Sequence, residues 1–453
     1  VKHIWLVLPD PLPTRVFFDC GIVDRLRAAL PDRLALVFVG ESPEPWLPRV
    51  GDLPVLDPET LLPRRVGAGE RVLRRIDRFL DDHVGFYPLA LRVSLRHGFH
   101  RERMRRGHDN WFLDPDRAGR LPKWPWLERA MYRWHFGSRR YVPSALLERM
   151  RDDCDGLVVA NLQTRSAVPF LTAARRLGLP VVGYVSSWDH TVGKGAISPY
   201  AQGYVVQNEQ MRDDLVRYHG IDAARVAVTG WPQTDVFHHA RPRASYDELL
   251  RGFGLAPSKP VVLVMGNTPT NAPYEDRFVR RLLDWWTETG GAGRFQLLFR
   301  PHPRDRRWRE RFALPDGVAG AAVQEPAYTD METLATLLQH GDVVVANAGT
   351  ILLDALVNDR PAVCVLYDEG APPEERWAEL NVVGEHYRRL TASDAFVRAR
   401  RFEEVAAGID RALEQPDELA DERRRVARDV VGEVDGHAAD RVVEAILGTV
   451  GRR

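Results

Sequence analysis

Three cysteines in 453 residues are too few for a disulfide scaffold. Cys20, Cys154 and Cys364 have no metal-type spacing. Cys364 falls inside an expected buried strand and Cys154 just before one, so they read as buried free thiols in a reducing compartment. Long apolar runs are missing too: no stretch reaches the roughly 18 residues a membrane-spanning helix needs. Net charge is absent, with 63 basic residues against 63 acidic ones. Bulk electrostatics therefore point to neither nucleic acid nor a membrane surface. There is no internal repeat and no low-complexity tract, and the sequence opens on the strand-like HIWLVLP rather than a signal peptide, so the expected location is the cytoplasm. No Asp-x-Asp motif stands at a strand end. Asp152-Asp153 and Asp213-Asp214 lie on expected helices and read as solvated charge, so no metal and no cofactor are expected.

What is present is an alternation of short apolar strands and helices, the mark of parallel sheets. It starts with His3 to Leu8, a helix from Thr14 as N-cap through Leu30, and Leu34 to Val39. It breaks over residues 64–150, a basic, aromatic, helix-prone stretch. One reading makes this a helical elaboration packed on the sheet. The other makes it an acceptor-binding or membrane-surface lip, with Trp124, Trp126 and Trp134 at the interface. The alternation resumes at Asp155, with strands to Thr229 and helices over Gln163 to Leu177 and Glu209 to His219. Residues 237–258 read as a connector. A second series runs from Lys259, followed by helices from Arg401 to the end.

The second series centres on HGDVVVANAGTILLDALVNDRPAVCVLYDE, residues 340–369. It reads as strand, small-residue loop, short helix, strand. A small-residue loop feeding a helix N-terminus presents bare N–H groups and a positive dipole end, the usual phosphate cradle. The same tetrapeptide can equally be a plain tight connection. Asp354 follows Thr350 by one helical turn and could accept from ribose hydroxyls. Other chemistry-bearing residues also fall at strand ends, where open parallel sheets bind ligands. Arg300 and His302 flank Pro301: a guanidinium fork and an imidazole beside a phosphate, or a surface Arg with a loop-capping His. In SSWDHTVGKG, Asp189 beside His190 is a candidate general base, or the start of an Asx turn. Lys194 could reach a phosphate, and Trp188 could stack on an acceptor or pack in the core. Glu209 and Asp235 are further carboxylates at such ends.

The motifs SWDHTVGKG, VVQNEQMRDDLVRYHGI, VAVTGWPQTDVF, LFRPHP, NAGTILLDALVNDRPAV and DGHAADR, in this order over residues 155–447, resemble the GT-B glycosyltransferases. Within them they are similar to the bacterial group of CDP-glycerol glycerophosphotransferases and polysaccharide transferases. The resemblance implies an α/β fold of two Rossmann-like domains facing a cleft, with a helical insert in the first and a C-terminal crossover helix. The domains expected are 1–240 for the acceptor, 259–425 for the nucleotide donor, and 426–453 packing back on the first. It implies Gly349, Thr350 and Arg300 near a diphosphate, His302 beside it, Asp354 near the ribose, and Gly266, Asn267 and Asn347 lining the pocket. The expected partner is a nucleotide-diphosphate-sugar donor with an unknown acceptor, at the inner face of the membrane if the insert is a lip. Where the glycerophosphotransferase pattern has a serine pair this chain has Asn347-Ala348, which favours a sugar donor over CDP-glycerol. A UDP-sugar epimerase, using Asp189, Glu209 and Asp235, and a non-catalytic nucleotide-sugar-binding module are the alternatives.

Overall fold

The computed structural model describes residues 2–39, 44–63, 67–80, 136–137, 141–164, 166–193, 197–327, 330–347, 349–382 and 384–451. Lys194, Ala348 and the stretch with Trp124, Trp126 and Trp134 lie outside the described residues. The chain forms two compact units, residues 1–233 with 437–453, and residues 234–436. Each is built on a six-stranded, wholly parallel sheet.

The first sheet contains β1 (His3–Leu8), β2 (Leu34–Phe38), β3 (Cys154–Val159), β4 (Val181–Tyr184), β5 (Gly203–Val206) and β6 (Val226–Val228), in the order β2-β1-β3-β4-β5-β6. β1 and β2 are near-continuous buried runs, as strands covered on both faces must be. The expected helix from Thr14 to Leu30 is instead two. Asp10, not Thr14, caps the first, Pro11–Asp19, its side chain accepting the Leu12 N–H at 3.0 Å. Pro11 and Pro13 sit in the first turn, where no intrahelical N–H is needed. Gly21, at φ 69°, breaks the run before the second helix, Ile22–Ala29. Likewise the helix expected from Gln163 begins only at Val168. The Asn161 side chain holds the Gln163 N–H at 3.1 Å in a turn, and Pro169 again marks a first turn.

The last helix, Ala438–Val450, belongs to this unit. Val442, Val443, Ile446 and Val450 join Ile4, Leu6, Val158, Val182 and Val205 in one core. Two strand glycines let it sit close. A Cβ at Gly203 would lie 2.8 Å from the Thr449 hydroxyl, and one at Gly156 3.2 Å from the Val450 Cβ.

The second sheet contains β7 (Val261–Met265), β8 (Gln296–Arg300), β9 (Ala321–Val323), β10 (Val343–Ala346), β11 (Ala362–Val365) and β12 (Val397–Ala399), in the order β12-β11-β10-β7-β8-β9. β12 has three residues, too short to show a period, and sequence reading passes over it. Helix Glu275–Glu288 packs Phe278, Val279 and Leu282 against Val264, Val345 and Val365, sharing that face with Phe402 and Val405 of helix Phe402–Glu414.

Candidate functional site

The chain lays down β7, β8 and β9 outward in one direction, then returns to place β10 on the other side of β7. The connections after β7 and β10 thus leave the sheet in opposite directions and open a crevice, where doubly wound sheets bind ligands. Asn267 and Asn347 meet there, the Asn267 amide 3.4 Å from the Asn347 Oδ1. Gly266 brings in the third connection. Its N–H donates to the Arg300 carbonyl at 2.9 Å, and a Cβ on it would lie 3.1 Å from the Pro301 Cα and 3.3 Å from the His302 nitrogen.

Helix Thr350–Val357 begins beside this crevice. Gly349, at φ 112° and ψ 179°, turns the chain into it without any side-chain cap. The Gly349 N–H donates to the Tyr387 hydroxyl at 2.6 Å, Thr350 is exposed, and Asp354 is half-buried. An L-residue at that φ is strained, and among the described residues nothing lies within 4 Å of where its Cβ would stand. Gly349→Ala is therefore expected to destabilise the second unit by about 1–3 kcal/mol through backbone strain alone. If this turn cradles a diphosphate, as the sequence reading expects, the variant also binds a nucleoside diphosphate more weakly, read by calorimetry. Wild-type affinity would separate this turn from the ligand.

Two of the residues expected to touch the donor, Asn347 and Arg300, are buried and already engaged. Asn347 is buried and its amide is spent: Nδ2 donates to the Val365 and Ala378 carbonyls at 2.7 and 3.1 Å, and Oδ1 accepts from Asn381 at 2.5 Å. It holds the loop from inside. Arg300 is also buried, and Nη1 donates to the Gln324 Oε1 at 2.6 Å and the Asp330 Oδ2 at 3.0 Å. A phosphate would have to compete with that carboxylate for the guanidinium. His302 is half-exposed, and its Nδ1 accepts the Arg304 N–H at 3.0 Å, which places the ring proton on Nε2 as a donor.

Sequence reading missed the cluster beneath these loops. Arg311, Asp305 and Glu275 have side chains 5%, 0% and 10% exposed. Arg311 pairs with Asp305, lies 3.0 Å from Glu275 and donates to the Ala272 carbonyl at 2.6 Å. Glu275 in turn accepts the Asn267 N–H at 2.8 Å. Burial, outweighing the Arg311 charge, pushes the Glu275 carboxyl up to about 8. In sequence, RDRRWRER looks like solvated charge, and only the fold-back of the chain after β8 buries two of its members.

The C-terminal ends of β7, β10 and β11 also surround a recess lined by Met265, Phe278, Val345, Val365, Tyr367 and Asp368. Asp368 accepts the Ala378 N–H at 2.9 Å, and burial lifts its carboxyl to about 6. Tyr274 and Trp377 both donate to Glu375, at 2.6 and 3.2 Å.

In the first unit the strand order reverses between β1 and β3. Asp10 and Asn161 meet there at 2.7 Å, and Gln163 runs on to the His190 carbonyl at 2.8 Å. Sequence reading passes over all three, because Pro9-Asp10-Pro11 reads only as a strand stop and Gln163 as the start of a helix. Asp189 is half-buried, accepts from the Ser187 hydroxyl at 2.5 Å, and lies 4.0 Å from the His190 Nε2. His190 is buried.

Trp188 is 4% exposed and packs edge-on against Trp231 at 6.0 Å, the core alternative rather than an acceptor platform. Glu209, 56% exposed, opens the helix that Asn208 caps and pairs with Arg212. Asp235 starts a short helix of the second unit, so the three carboxylates considered for epimerisation do not share one unit. Asp214, read as solvated, is buried and accepts from the Thr191 hydroxyl at 2.8 Å.

A family model described as CDP-glycerol:poly(glycerophosphate) glycerophosphotransferase matches residues 194–448. The chain is 31% identical over 138 residues to a processive diacylglycerol beta-glucosyltransferase of Staphylococcus epidermidis; the match covers 30% of this chain and 32% of that protein. The chain thus spans about a third of the length of this curated relative. Among solved structures it is similar to UDP-GlcNAc 2-epimerase from Neisseria meningitidis bound to UDP-GlcNAc, with TM-score 0.56, 12% identity, and 99% and 100% of the two chains covered. It is also similar to a glycosyltransferase from Rickettsia africae, with TM-score 0.51, 11% identity, and 98% and 99% covered. At that identity the likeness is one of fold, and the fold is the α/β, two-domain GT-B type.

Proposed function

The chain belongs to the CDP-glycerol:poly(glycerophosphate) glycerophosphotransferase family, and from that premise we propose that it transfers a sugar from a nucleotide-diphosphate sugar to an acceptor hydroxyl. The observation that carries this reading is the uncapped helix start at Gly349, set at the strand-order reversal of the second sheet. First-turn amides and the positive dipole end suit a diphosphate that gains charge as it leaves. In this reading the second unit is the donor side. His302 donates from Nε2 to a phosphate oxygen and Asp354 accepts from the ribose.

The first unit is the acceptor side. Asp189, with His190 beside it, takes the proton of the attacking hydroxyl. The acceptor oxygen then bonds to the anomeric carbon, the bond from that carbon to the diphosphate oxygen breaks, and a nucleoside diphosphate departs. The UDP-GlcNAc held by the Neisseria structure supports the donor class. The diacylglycerol in the partial relative's name supports testing lipid hydroxyls as acceptors. Among the described residues no helix is long and apolar enough to cross a membrane.

The family match also favours a second reading, transfer of glycerol phosphate from CDP-glycerol. The two differ in the nucleotide released. Sugar transfer frees a nucleoside diphosphate, whereas attack on the phosphorus next to glycerol frees CMP. Thermal-shift screening with UDP, GDP, ADP, CDP and dTDP names the base. Chromatography of the released nucleotide, with the matching donors and a lipid extract, then separates the readings. A nucleoside diphosphate is expected. CMP from CDP-glycerol would overturn sugar transfer, and a new sugar formed without acceptor would point to epimerisation.

A further inference from the structure

His219 lies at the end of helix Glu209–His219, 4% exposed. Its Nδ1 is 3.0 Å from the Ile197 nitrogen and its Nε2 is 2.9 Å from the Thr191 carbonyl oxygen. A main-chain N–H only donates and a carbonyl only accepts. Both contacts are therefore hydrogen bonds only when Nδ1 is bare and Nε2 carries the proton. One tautomer of the neutral ring satisfies the geometry; the charged ring, with protons on both nitrogens, loses the Ile197 bond. Burial acts in the same direction and lowers the ring to about 4. Asp214, five residues earlier on the same helix, accepts from the Thr191 hydroxyl at 2.8 Å. Thr191 is fully buried and follows Asp189 and His190 directly. One helix thus grips, by main chain and side chain, the residue next to the candidate base pair. The Gln163 amide holds His190 from the other side, through its carbonyl.

We infer that His219, backed by Asp214, is a positioning residue for the Asp189–His190 turn, holding the main chain at Thr191 and Ile197 so that the base faces the acceptor. This rests on the reading of Asp189 as the base. A histidine that merely stabilises the unit would change the melting temperature and leave turnover in the folded enzyme untouched. A positioning histidine lowers kcat while the KM for the donor, bound by the other unit, stays the same.

The test uses the full chain with three variants. His219→Phe keeps a flat ring and removes both bonds, His219→Gln offers an amide that can restore them, and Thr191→Val cuts the link to Asp214. Each lost buried hydrogen bond is of order ten- to a hundredfold in the local opening equilibrium. Hydrogen exchange over 189–193 and at Ile197 should therefore accelerate by at least about tenfold in His219→Phe. Its kcat should fall by at least about tenfold at unchanged donor KM, with His219→Gln recovering most of it and Thr191→Val falling between.

Wild-type kcat in folded His219→Phe, whatever its exchange, overturns the inference, as does a rise in donor KM with kcat intact. Should that variant not fold, Thr191→Val carries the kcat and donor KM readout, and nitrogen NMR of histidine-labelled wild type tests the two ring hydrogen bonds. The ring should hold a proton on Nε2 alone from about pH 5 to 8, and a doubly protonated or Nδ1–H ring overturns the inference. Should the wild type release no nucleotide from any donor, the functional reading fails, and the exchange and NMR arms still judge the clamp.

Discussion

Replacing Arg311 with methionine is expected to destabilise the second unit by about 3–5 kcal/mol at neutral pH, the usual cost of stranding a buried charge. The Asp305 side chain is fully buried and relies on that guanidinium, and the Ala272 carbonyl loses its donor with it. Removing one partner is much worse than removing the pair, because the remaining carboxylate is left in a medium that cannot solvate it. Urea unfolding of the second-unit transition measures the effect, since two units need not melt as one. Arg311→Met with Asp305→Asn should recover a large part of the loss. A single Arg311→Met variant as stable as wild type would show that the cluster does not hold the loops.

The folded Glu275 carboxyl sits near 8 against an ordinary 4.5, raised by burial. The folded chain then binds the proton more tightly than the unfolded one. This group's contribution is whole below about pH 4.5 and is lost as pH rises through about 8. The slope is at most about 1.4 kcal/mol per pH unit. Glu275→Gln should flatten that stretch of the stability profile and cost little at neutral pH, because the amide mimics the protonated acid.

Asp189→Asn is expected to lower kcat by about a hundred- to ten-thousandfold, the usual range for removing a general base, with nucleotide affinity unchanged. The amide oxygen can still accept from the Ser187 hydroxyl, 2.5 Å away, so the turn survives. What it cannot do is take a proton. Asp189 is part of the first unit, whereas the loops read as the donor cradle are part of the second. Binding and turnover should therefore separate cleanly. Steady-state release of nucleotide with saturating donor, alongside calorimetry with the nucleoside diphosphate, reads both. Turnover near wild type would move the base elsewhere, first to His190, whose Nε2 lies 4.0 Å from the Asp189 carboxylate.

The sequence by itself determined the architecture of this protein, because short Val-rich runs and interposed helices leave few ways to bury themselves except in parallel sheets. It also placed small residues, Gly266 and Gly349, at the strand ends; that Gly349 takes a positive φ and Gly266 lies against the chain at Pro301 only the folded chain shows. It could not say which polar groups face inward. Asn347, Arg300, Asp214 and the Asp305–Arg311–Glu275 cluster are ordinary strand-end, loop and helix residues until strands distant in sequence pair and shut water out. Period and spacing are local and survive in a string of letters. Burial and hydrogen-bond partnership arise from contacts between residues far apart along the chain, such as Asn267 with Asn347 or Asp10 with Asn161, and only the folded chain makes those.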